Sequence, residues 1–61
     1  MTSAERLRAA RDALSSAFEH LDAVTGLDEL EAGAVLALRA DVGEAIRRLG
    51  NLIVFTERAE R

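Results

Sequence analysis

Apolar residues recur through the first third of the chain at Leu7, Ala10, Leu14, Ala17, Phe18, Leu21 and Val24, in steps of three and four. At about 100° per residue these positions form one stripe, with Arg8, Asp12, Ser15, Ser16 and Glu19 on the other side, which is the pattern of an amphipathic helix. Thr2 followed by Glu5 is a capping-box pair, in which each side chain can meet the other residue's backbone N–H. Glu5–Arg8 and Arg8–Asp12 stand at the spacing of helix-surface ion pairs. Gly26 is suited to the left-handed conformation that commonly follows a helix. The pattern predicts a first helix over about residues 3–25.

A second stripe follows at Val35, Leu38, Val42, Ala45, Ile46, Leu49, Leu52 and Ile53. Asp28 and Glu31 repeat the capping box, so the second helix is expected over about residues 28–58, after a connection of roughly two to four residues. Such a short connection makes the helices an antiparallel hairpin. Its seam is expected to join Leu14, Phe18 and Leu21 to Leu38, Val42, Ile46, Leu49 and Ile53. The corresponding pairing sets Leu21 near Ala34, Leu14 near Val42 and Leu7 near Leu49, with Val54 and Phe55 at or beyond the start of the first helix.

The second helix has apolar residues in further directions. Leu36, Ala40, Gly43, Gly50 and Val54 form another line at steps of four and three, with Arg47 filling one place. Leu30, Ala37 and Phe55 point a third way. A glycine inside a helix costs about 1 kcal/mol relative to alanine, so Gly33, Gly43 and Gly50 suggest close approach of another backbone. Leu52, Ile53, Val54 and Phe55 sweep nearly the whole circumference, and one neighbouring helix cannot cover all four. A β-strand at 52–56 would have no partner in this chain. The economical arrangement is an all-α hairpin, one domain over residues 1–61, dimerising into a four-helix bundle. The expected interface residues are Leu36, Ala40, Gly43, Gly50, Val54 and Phe55. Which of the two stripes meets the sister chain is left open by periodicity.

Composition sharpens the need for a partner. A chain of 61 residues buries only about 60% of the surface its unfolded form exposes. Of its apolar residues, twelve are alanine, which leaves few large side chains for a core. There is no cysteine to form a disulfide, and one histidine makes a single-chain zinc or iron site a poor reading. Association is the remaining route to stability. Eleven acids against eight arginines give a net charge of −3, which argues against nucleic acid and anionic membranes as partners. No apolar run approaches the ~20 residues of a membrane helix, and no signal-peptide pattern opens the chain. A soluble, cytoplasmic protein is expected, and the exclusive use of arginine suggests a GC-rich bacterial or phage genome.

Candidate chemistry is sparse. His20 has no second ligand at 16, 17, 23 or 24, and no Glu-x-x-His pattern supports a di-iron bundle. Asp28, Glu29 and Glu31 are accounted for by the helix start they would cap. Ser15 and Ser16 have no base within a helical turn except Glu19, and the four glycines form no phosphate-binding loop. No catalytic residue and no cofactor is expected. Arg6, Arg8, Arg11, Arg47 and Arg48 fall at one level of the expected hairpin and are the candidate anion-binding residues. The leading expectation is a non-enzymatic oligomerisation or protein-interaction module, homodimeric, with a regulatory or adaptor role, and another protein as a further candidate partner. The alternatives are a small RNA-binding hairpin dimer and an oligomer that sequesters a small anionic or nucleotide ligand.

Overall fold

A computed structural model describes all 61 residues as two helices, α1 (Ser3–Asp22) and α2 (Glu29–Ala59), with no strand. Both predicted starts are present. The Thr2 hydroxyl accepts from the Glu5 backbone N–H at 3.1 Å, and the Asp28 carboxylate accepts from Glu31 N–H at 2.8 Å. Each satisfies a donor that the first turn of a helix cannot pair internally.

The connection differs from the expected tight turn. α1 stops at Asp22, with Ala23 as its C-cap in ordinary right-handed geometry, and α2 begins only at Glu29. Gly26 does adopt a positive φ of 78°, but it does so within the connection rather than at the helix end. The connecting segment runs beside the first turns of α2: Val24, Thr25, Gly26 and Leu27 line a cleft of about 290 Å³ together with Ala32, Val35 and Leu36.

This longer connection moves the register. Asp22 pairs with Arg39, Arg8 with Glu57 at 2.5 Å, and Phe18 faces Gly43. Continued along both helices, the Asp22–Arg39 and Phe18–Gly43 contacts set Leu14 level with about residue 47 and Leu7 with about residue 54, next to Ile46 and Ile53. The helices are therefore displaced by one to two turns from the expected pairing. Val54 and Phe55 lie alongside the first turns of α1 instead of beyond them, and it is the start of α2 that overhangs. At the far end the Ala4 N–H donates to the Glu60 carboxylate at 3.3 Å.

The seam is narrow. Leu7, Leu14, Phe18 and Leu21 are half-buried in line with Val35, Val42, Ile46 and Leu49, while only Ala4 and Ile53 are buried. Leu38, expected in the seam, is 52% exposed, and Leu52 of the same stripe is 48% exposed. The stripe is wider than one helix can cover, so α1 takes one edge of it and leaves the other in water. The molecule measures 49 × 16 × 10 Å between Cα extremes. Its radius of gyration is 14.5 Å, against about 10.5 Å for a compact chain of this length.

Candidate interaction surface

An antiparallel helix pair has two broad faces, one on each side of its seam, and here they differ in chemistry. On one face the cross-hairpin charges gather. Arg8 meets Glu57, and Arg39 meets Asp22 with its guanidinium 5.6 Å from the centre of the Phe18 ring. Arg39 thus closes the end of the seam by an ion pair and a cation–π contact together. Neither pairing was legible in the sequence, because the register that creates them depends on the length of the connection. The ion pairs expected within α1, from Arg8 to Glu5 and Asp12, give way to the Glu57 contact.

The other face carries no cross-hairpin ion pair and more apolar side chains. Seven-residue spacing carries Ala10 and Ala17 along one flank of α1, and Leu38, Ala45, Leu52 and Ala59 along one flank of α2. In an antiparallel pair the flanks on the same side of the seam adjoin. Arg8 and Glu57 occupy the opposite flanks, which places these two columns together on the side free of cross-hairpin charge. Leu49 lies half-buried between the columns, and Asp41, Glu44 and Arg48 border a shallow depression over Ala45, Leu49 and Leu52.

The residues expected at an interface are distributed differently. Leu36, Val54 and Phe55 are exposed at 55%, 49% and 66%, and Ala40 is also exposed. Gly43 lies inside the hairpin: a Cβ there would stand 3.5 Å from the Phe18 ring, so its small size serves the intrachain seam. Gly33 and Gly50 face open space. The signal for Gly43 was the glycine itself, but periodicity alone did not say which helix it admits.

The five candidate anion-binding arginines do not form one group. Arg8 holds Glu57, while Arg47 and Arg48 both hold Glu44, at 2.5 and 3.2 Å. Hydrogen bonding from Arg47 holds the Glu44 carboxyl below its ordinary value, and the same contact raises Arg47. Arg6 and Arg11 make no ion pair, Arg6 being exposed and Arg11 half-buried in the seam line. No three His, Cys, Asp or Glu residues come together as a metal-binding group. No helix is long and apolar enough to cross a membrane. The chain matches no protein-family model, no curated protein and no solved structure.

Proposed function

We propose that the chain is a self-associating helical hairpin, two copies closing into a four-helix bundle that serves as a non-enzymatic interaction module. The observation that carries this reading is surface. The isolated hairpin exposes 4621 Å², whereas a compact monomer of 6.6 kDa exposes roughly 3,900 Å². The excess of about 700 Å² is close to the ~800 Å² that each partner buries in a standard protein–protein interface. Nine large apolar residues are exposed at 36% or more, and six of them lie on α2.

An adaptor or regulatory role is part of the same proposal. The arginines are engaged with neighbouring carboxylates or dispersed, which favours association over RNA or nucleotide capture. Light scattering of the purified chain at micromolar concentration tests the proposal. A mass of two chains is expected, and a folded helical species of 6.6 kDa would overturn it.

A further inference from the structure

We propose that two copies pack antiparallel along the α2 flank that carries Leu36 and Val54, the turn end of each hairpin lying beside the open end of the other. This rests on the self-association reading and adds the surface and the direction of pairing.

Charge selects the direction. In the turn half of the hairpin Glu19, Asp28, Glu29, Glu31 and Asp41 make no ion pair, and the one arginine there, Arg39, is held by Asp22. In the open half four arginines make no ion pair, Arg6, Arg11, Arg58 and Arg61, against the acids Glu5, Asp12 and Glu60. A second hairpin laid parallel would set the acidic halves against each other. Laid antiparallel, it brings the unpaired acids of each copy to the unpaired arginines of the other, at both ends at once. A two-fold pair satisfies this polarity twice, and that identifies the occupant as another copy of the chain.

The spacing along α2 selects the flank. Leu36 and Val54 stand five full turns of 3.6 residues apart, so the two exposed side chains point the same way from opposite ends of the helix. Glu29 and Arg58 lie beyond them within about 40° of the same line, an acid at the start and an arginine at the end. A two-fold axis across α2 at the level of Ala45 brings Leu36 onto Val54 of the other copy and Ala40 onto Gly50. It also sets Glu29 within one turn of Arg58 of the other copy, so the line is complementary to itself in charge. Leu36 forms one wall of the cleft of about 290 Å³ beside the connection, and Val54 of the other copy is placed at its mouth. Gly50 has open space where a Cβ would stand, which leaves room for the approach of a second backbone at Ala40. Arg47 falls opposite Gly43, where there is no side chain to displace, and keeps its own Glu44 as partner.

The chain has no cysteine, so single thiols can be introduced without background. Leu36→Cys and Val54→Cys chains are treated with a short bis-maleimide, each alone and as an equimolar mixture left to exchange, while mass is followed by light scattering. In the mixture the two thiols meet across the interface, and cross-linking should run at least about a hundredfold faster than in either chain alone. Within one variant, each thiol lies about 27 Å along α2 from its counterpart. Rapid cross-linking of either variant with itself, or an assembled mixture that does not cross-link, overturns the assignment and leaves self-association standing. A mass of one chain throughout overturns both. Charge reversal tests the direction separately. Glu29→Arg and Arg58→Glu should each weaken association by about tenfold, and the double variant should recover it. Both substitutions oppose the helix dipole, so effects confined to the single chain would add in the double variant instead of cancelling. Additive loss counts against antiparallel pairing.

Discussion

At Asp28 the carboxylate accepts the Glu31 N–H, and that bond lowers its pKa below the ordinary 3.8. A carboxyl with a lowered folded-state pKa contributes stability above its unfolded pKa and loses that contribution as pH falls through the folded value. Glu44 behaves in the same sense from an ordinary 4.5, held down by Arg47. Helicity followed by circular dichroism should therefore stay level on acidification to the ordinary carboxylate range and decline below about pH 4. Asp28→Ala should lower the urea midpoint and flatten part of that decline. An unchanged acid limb in the variant would remove Asp28 from the account. Glycine makes a separate case at this scale. Gly33 and Gly50 have no neighbour in the path of a Cβ, so alanine at either should stabilise the helix by roughly 0.5–1 kcal/mol. Gly43→Leu, in contrast, presses on Phe18 and should cost about 1–3 kcal/mol. Equal responses at all three positions in urea titrations would show that the Gly43–Phe18 contact does not matter in solution. The capping residues were legible in the sequence because a cap is a local pattern, complete within four residues. The partner of Gly43 was not, because it depends on where another helix lies.

The two helices themselves could be read from periodicity, since steps of three and four in apolar positions are set by backbone geometry. Their register could not. Six residues from Ala23 to Asp28 replace the expected shorter turn, and the segment lies along α2 instead of folding back at once. Everything across the hairpin then shifts by one to two turns, which exchanges the expected local pairs of Arg8 for Glu57. The seam that results depends on few residues. Ile53 is 3% exposed and is the only large side chain fully buried, so Ile53→Ala should cost about 2–5 kcal/mol, enough to unfold a chain this small at ambient temperature. Arg8→Ala removes an ion pair whose side chains are 43% and 37% exposed, and should cost no more than about 1 kcal/mol. Thermal melts of the two variants at matched concentration distinguish a seam held by apolar packing from one held by charge. Comparable losses would mean the ion pairs carry more of the hairpin than their exposure implies.

For the whole molecule, the distribution of burial links shape to stability. Two of 61 residues are buried, and the long axis is three times the next. The hairpin thus has a seam but little core, and the proposed dimer would form between chains the interior that a small domain needs. The sequence already indicated surplus apolar surface on α2. It did not indicate which edge of the wide stripe stays exposed, because Leu38 and Leu52 belong to the same stripe as the residues that contact α1. If folding and association are coupled, the melting temperature depends on protein concentration, whereas a self-sufficient monomer melts at a fixed temperature. The size of the effect can be anticipated. A tenfold rise in concentration is worth about 1.4 kcal/mol per mole of dimer. An unfolding entropy of about 2.1 cal/mol/K per residue over two chains converts this to a rise of about 5 °C. Melts followed by circular dichroism across two decades of concentration should therefore separate by about 10 °C in total.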